Sequence, residues 1–233
     1  MAKGDLSRRR LLAGAGLAVA GGVGLAGATA GPAAAEESER HGRVGVARGG
    51  ATACEFRSRV AQSGSTGETF TSYGYLTAAH GAGPEALFAG SRRDESTALL
   101  TAYAAGALVQ RILDMSVHAL DIEGTLTVYQ RSAPGASFDD PSSFQEGTPV
   151  ATFALTLQDI LAVFAPAQGI PTLTGDMRQT AARALSGPLA GRRFGRVGLR
   201  GRFFATGLGR LVDPVTLNAL LELAGNWTVE QSH

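Results

Sequence analysis

The sequence predicts an all-β protein, a single eight-stranded antiparallel β-barrel. From residue 51 onward, apolar and polar residues alternate with period two over stretches of strand length. Clusters of Gly, Ser and Pro separate those stretches, and such residues punctuate turns. The third observation is their number. Eight strands is about the count at which a closed barrel has an interior that side chains or one small ligand can fill. No internal repeat and no break into two domains interrupts residues 51–230.

The elements follow in order. Residues 52–62 are the first strand, ended by the SGSTG cluster at 63–67, and residues 70–79 (FTSYGYLTAA) are the second. Residues 84–94 read as a loop with a short apolar contact at Leu87 and Phe88. Residues 96–110 alternate and form the third strand, although an Ala-rich stretch also favours helix. The clearest strand is 117–129. There Leu120, Ile122, Leu126 and Val128 point one way while Asp121, Glu123, Thr125 and Thr127 point the other. Gly124 in its middle marks a bulge or a close backbone approach.

Residues 131–148 are a polar surface loop rich in Pro and Gly. Residues 150–157 restart the alternation with Ala151, Phe153, Leu155 and Leu157 on one side. Beyond them Leu157, Ile160, Leu161 and Phe164 fit a helical face, so a short helix is expected near 158–164. Residues 170–184 and 194–206 are the next strands, the latter placing Val197, Leu199 and Phe203 opposite Arg196, Arg200 and Arg202. In the last segment Asp213 and Pro214 suit the N-cap and first turn of a helix over 214–224, with Gly225 as its C-cap. Yet Val215, Leu217, Ala219, Leu221 and Leu223 alternate against Thr216, Asn218 and Glu222, which favours an eighth strand.

Ahead of the barrel, Ser7, Arg8, Arg9, Arg10, Leu11 and Leu12 open a long Gly- and Ala-rich apolar run that ends in three alanines at 33–35. Basic start, apolar run and A-x-A end make residues 1–35 a cleaved export signal of the twin-arginine (Tat) type, with Ser7, Arg8, Arg9, Leu11 and Leu12 as its motif. A retained membrane anchor is the competing reading, since the run has about the roughly 20 residues a span needs. Its Gly and Ala content and the adjacent cleavage site favour the signal. Expected consequences are secretion to the cell envelope or beyond, the twin-arginine translocase as partner, and no stable membrane anchor. Residues 36–50 (EESERHGRVGVARGG) read as a disordered leader, and 51–230 as the barrel domain.

The signal holds Lys3, Arg8, Arg9 and Arg10 against Asp5, so of 21 basic and 20 acidic residues 17 and 19 remain, a net of −2. That charge excludes a general nucleic-acid binder. Cys54 is the only cysteine, so the domain has no intramolecular disulfide and must be held by its core. It reads as a small apolar residue on the first strand. His41, His80, His118 and His233 share no ligand spacing, and no metal or other cofactor is expected.

No nucleophile elbow, phosphate loop or zincin motif is present. Three constellations remain. Asp121 and Glu123 lie two apart on one strand, so both carboxylates share a face. Inside the barrel, burial would raise a carboxyl pKa and suit acid–base work; outside, they are solvated charges, and the apolar Leu120, Ile122 and Val128 favour outside. Arg196, Arg200 and Arg202 line another face, where Arg200 would hold an anionic ligand group or else belong to an outer charged surface. Asp139 and Asp140 before Pro141 read as a turn rather than as a calcium loop.

Residues 120–129 (LDIEGTLTVY) resemble the central strand of the allene oxide cyclase and dirigent barrel superfamily, in which an alternating strand is interrupted by Gly and continues with Leu-Thr and Tyr. The strand count, the domain size, residues 70–77 (FTSYGYLT) and a TLTGD turn at 172–176 are similar too. The resemblance covers about residues 52–229. It implies an apolar cavity in which a reactive intermediate is folded for cyclisation or coupling, an isomerase-like activity, with one or two polar groups assisting. Plant cyclases carry a Glu and a nearby Asn on their first strand. Here Glu55 sits on the first strand, but Phe56 and Arg57 follow and the Asn is missing. Glu55, then Asp121 and Glu123, are thus the candidate polar helpers. A secreted carrier of a small apolar molecule, or a cell-surface interaction protein, fits the same strands. A homo-oligomer is compatible with all of these readings.

Overall fold

The computed structural model describes residues 42–230. The Tat motif at Ser7, Arg8, Arg9, Leu11 and Leu12, the rest of the expected signal and residues 36–41 lie outside the described residues. The strands are β1 (Arg43–Val44), β2 (Thr52–Ser63), β3 (Thr69–Ala79), β4 (Leu100–Asp114), β5 (Val117–Gln130), β6 (Thr148–Ala165), β7 (Gln168–Ala182), β8 (Arg193–Phe194), β9 (Arg200–Asp213) and β10 (Asn218–Val229). Eight of them close an antiparallel barrel in the order β10-β2-β3-β4-β5-β6-β7-β9, with β9 hydrogen-bonded back to β10. β1 and β8 form a separate parallel pair. The all-β, eight-stranded antiparallel barrel is therefore the fold of this chain. Among the described residues no helix is long and apolar enough to cross a membrane.

Period two carries over into the wall. On β5 the side chains of Ile122 and Leu126 border the lumen, and Leu120 and Val128 are buried with them. On β6 Phe153, Leu155 and Leu157 take the same inward series. Gly124 pairs with Gly106 of β4, and a Cβ on Gly124 would sit 2.5 Å from the Ala105 carbonyl oxygen. The glycine marks a close backbone approach, and no register shift occurs there; the β4–β5 bulge lies between Leu108 and Gln110. That bulge leaves Val109 unpaired and exposed, and it turns Arg111 and Leu113 toward the lumen where Gln110 and Ile112 would otherwise point.

Both expected helices are corrected. Residues 158–164 continue β6, because Leu157, Asp159, Leu161 and Val163 keep the inward series while Ile160 and Phe164 stay exposed. Residues 214–217 form a turn and β10 starts at Asn218. The cap at Asp213 is real, since its carboxylate accepts from the Val215 N–H at 2.8 Å and the Thr216 hydroxyl at 2.7 Å. It closes the β9–β10 hairpin instead of starting a helix, because the strand ladder to β2 and β9 satisfies the following backbone. The expected strand over 194–206 breaks at 195–199, and residues 172–176 are strand rather than turn. Asp140 caps the short 3-10 turn Pro141–Gln145.

Residues 42–50 are not a leader but part of the fold. Val44 is fully buried, and β1 pairs with β8 over one end of the barrel. Phe194 of β8 meets Trp227 of β10 edge-on at 6.5 Å, and Trp227 in turn touches Phe153 at 6.1 Å. Gln179, fully buried, donates to the carbonyls of Phe194 and Ala181 and accepts from the Arg196 N–H. This end is plugged. The opposite end consists of the four hairpin tips between β2 and β3, β4 and β5, β6 and β7, and β9 and β10.

Candidate functional site

The lumen has two compartments, an upper one toward the plugged end and a lower one toward the hairpin tips. Toward the plugged end, Phe56, Phe203, Leu155, Ile122, Leu223 and Trp227 surround an almost wholly apolar space of about 80 Å³. Phe56 stacks on Phe203 at 5.1 Å and on Trp227 at 6.1 Å. Toward the hairpin tips lies a second space of about 180 Å³. Its walls include Leu120, Leu161, Ala219 and Leu221, and its lining reaches the tips at Leu113, Ala167 and Leu217. Into this second compartment the strands also bring Gln62, Arg111, His118 and Asp159.

Asp159 is a buried carboxyl on the inner face of β6, only 3 % exposed. It stands in register with Leu120 of β5 and Leu173 of β7, both apolar. Its Oδ1 accepts a hydrogen bond from the Thr172 N–H at 2.9 Å. The cause lies next door: Pro171 has no N–H to give the ladder, and the β7–β9 pairing lapses between Gly169 and Thr172. Oδ2 has no hydrogen-bond partner among the described residues. Burial pushes the carboxyl up to about 6, against the smaller opposing effect of the Thr172 N–H. A carboxyl with that pKa can lose or accept a proton near neutrality.

His118 is half-buried on β5 and pairs with Leu161, two residues along from the Leu120–Asp159 pair. The two side chains are thus diagonal neighbours on the inner face, a separation of roughly 7–8 Å between Cα atoms. Arg111 completes the row Arg111, Leu120, Asp159 across β4, β5 and β6. Its guanidinium donates to the carbonyls of Thr66 at 2.7 Å and Gly67 at 2.9 Å, which draws it toward the β2–β3 turn. Gln62 donates to the same Gly67 carbonyl.

The residues expected from the sequence lie elsewhere. Glu55 is exposed on β2. Asp121 and Glu123 face outward on β5, where Asp121 accepts from Gln158 at 3.1 Å in a shallow outer groove shared with Asp176 and Arg202. Arg200 is exposed at the start of β9. Its neighbour Arg202 pairs with Asp176 at 2.7 Å on the open surface, and such a pair contributes little. Asp121 and Glu123 share the outer groove while Glu55 and Arg200 lie outside it, and none of the four borders the lumen compartments. Cys54 is 1 % exposed, and burial raises its thiol well above the ordinary value.

Sequence reasoning passed over Asp159 because the inward series was stopped at Leu157. Two residues further it meets Asp159, and two before Leu120 it meets His118. A carboxyl at an apolar position of a strand is the signal that would have found the site. Among the described residues no group of three or more His, Cys, Asp or Glu side chains could hold a metal ion. Comparison with protein-family models, with curated proteins and with solved structures finds no match to this chain.

Proposed function

We propose that this protein is an exported β-barrel that holds a small apolar molecule or reactive intermediate in its lumen. Like the allene oxide cyclase and dirigent barrels it resembles, it would guide that molecule toward cyclisation or coupling by confinement. The observation that carries the reading is Asp159, a nearly inaccessible carboxyl in an otherwise mostly apolar lumen compartment. Groups of this kind, buried in a cleft with a raised pKa, concentrate at functional sites. In an isomerisation Asp159 would move the proton. A carrier without chemistry is the second reading, favoured by the hydrogen bond that already gives Asp159 a task at Thr172.

Size narrows the ligand. An apolar cavity of about 150 Å³ binds benzene, so a space of about 180 Å³ suits one ring with a short substituent. A long lipid chain is too large for either compartment. Trp227 is the only tryptophan and borders the upper compartment, so its emission reports on the lumen. Titration with toluene is expected to change that emission saturably, and Ala219→Phe, which fills the lower compartment, is expected to abolish saturable binding. Binding that survives Ala219→Phe unchanged, or no saturable binding to the unmodified barrel, would sink the lumen reading.

Export rests on Ser7, Arg8, Arg9, Leu11 and Leu12. Replacing Arg8 and Arg9 with Lys removes the paired guanidinium groups while keeping the charge. In a bacterium with a working twin-arginine translocase, the double variant is expected to accumulate inside the cell, whereas the parent chain appears outside the cytoplasmic membrane. Equal export of both chains refutes the twin-arginine route.

A further inference from the structure

We infer that the lower compartment selects a small cationic ligand, an apolar ring carrying a protonated amine, whose ammonium group sits against the Oδ2 atom of Asp159. This rests on the lumen-binding reading and adds the chemical class of the ligand. The argument starts from the carboxyl itself. Asp159 is only 3 % exposed, yet of its two oxygens only Oδ1 has a partner, the Thr172 N–H. Oδ2 keeps a little accessible surface and has no protein donor, and Asp159 lines the empty compartment, where a carboxylate oxygen without a donor is costly.

A ligand ammonium is the group that offsets this cost most fully. It donates up to three hydrogen bonds and supplies the opposite charge. Of the two arginines in the lining, Arg111 spends its guanidinium on the Thr66 and Gly67 carbonyls, and Arg210 is exposed, in register with Leu220 rather than with the lumen-facing Leu221. A carboxylate ligand would have to approach Asp159 against its charge.

The remaining walls settle what the rest of the ligand must be. Leu120, Leu161, Ala219 and Leu221 offer no polar group, and the volume limits the apolar part to about one ring. The charged and titratable residues that line the compartment with Asp159 are Arg111 from β4, His118 from β5 and the exposed Arg210 from β9; the lining contributed by β2 and β7 carries Gln62 and Gln168, and that of β10 is apolar. His118 can accept a second hydrogen bond from the ammonium when it is neutral. On acidification Asp159 loses its negative charge and with it the attraction for the ammonium.

Benzylamine, toluene and benzoate, matched in ring and size, test this by calorimetry on the full chain. At pH 8 benzylamine is expected to bind about 10–100-fold more tightly than toluene, the range of one charge-assisted hydrogen bond. Benzoate is expected to bind more weakly than either. Asp159→Asn keeps the size and the acceptor for Thr172, and it is expected to remove the preference for benzylamine while leaving toluene binding in place. Lowering the pH to 5 is expected to weaken benzylamine binding by about tenfold in the parent protein and in His118→Gln, and not in Asp159→Asn.

Toluene or benzoate binding as tightly as benzylamine overturns the assignment of ligand class and leaves the lumen reading standing. The same holds if the pH effect follows His118→Gln rather than Asp159→Asn. Failure of all three probes to bind removes both readings together.

Discussion

Asp159→Asn is expected to make the protein more stable at neutral pH, by roughly 3 kcal/mol. The folded carboxyl titrates at about 6, while an unfolded Asp titrates near 3.9. The folded state thus holds its proton more tightly than the unfolded state. A group raised in this way costs nothing below the unfolded value, costs progressively more as pH rises toward 6, and costs its full amount above that. Asn carries no charge to bury, and its Oδ1 still accepts from the Thr172 N–H. Urea denaturation of both proteins from pH 4 to pH 8 checks this, because the gap between them should be near zero at pH 4 and open through the window to pH 6. Other carboxylates cancel in the difference. Glu68, held down to about 2 chiefly by the backbone N–H of Thr66, is the same in both proteins. A gap independent of pH, or a parent protein more stable than the variant at pH 8, would show that Asp159 is not an unpaired buried carboxylate. A stabilising variant that also loses benzylamine is the pattern expected of a residue kept for binding at the expense of stability.

Phe144→Ala is expected to cost about 3–5 kcal/mol, the range for removing a fully buried aromatic side chain. Phe144 comes from the loop between β5 and β6, and it is fully buried. Tyr73 of β3 lies 5.6 Å from its ring and Phe138 lies 5.1 Å away, while the guanidinium of Arg59 covers Phe138 at 4.7 Å. The Thr101 hydroxyl donates to the Phe144 carbonyl at 2.8 Å. Arg131, itself buried, donates to the carbonyls of Ser143 and Ala133 and pairs with Glu146. The loop is thus fastened to the outer wall of the barrel, not left as open surface. Urea denaturation measures the loss, and limited proteolysis should show new cleavage within residues 131–147. Benzylamine binding to the folded fraction should not change, because none of these residues lines the lower compartment. A loss below about 1 kcal/mol would mean that the loop does not depend on its aromatic anchor.

Much of the fold was legible because period two is a local property of a strand. Leu120, Ile122, Leu126 and Val128 declare a buried face within ten residues, and Ser63–Gly67 or Asp213–Pro214 declare the turns. The site was less legible for two reasons. Helical and strand periods both fit Leu157, Ile160, Leu161 and Phe164, and short apolar runs do not separate them. The choice of helix stopped the inward series one step before Asp159. Glu55 was a candidate through the resemblance, and Asp121, Glu123 and Arg200 through charges that share one face of a strand. In the barrel the alternation that buries their neighbours turns them out to solvent.

Residues 42–50 mislead for a related reason. Their Gly content and flanking charges read as leader, yet Val44 and Phe194, about 150 residues apart in the chain, meet across one barrel end. By itself the sequence determined the strands, their buried faces and the absence of disulfides, since each depends on residues close together in the chain or on composition. Only the tertiary structure decided that β10 closes the barrel between β9 and β2, that the bulge at Val109 swings Arg111 inward, and that Asp159 lies in a compartment with His118. Each of those outcomes depends on hydrogen-bonded register between strands distant in sequence, and a shift of one residue in that register exchanges the inner face for the outer one.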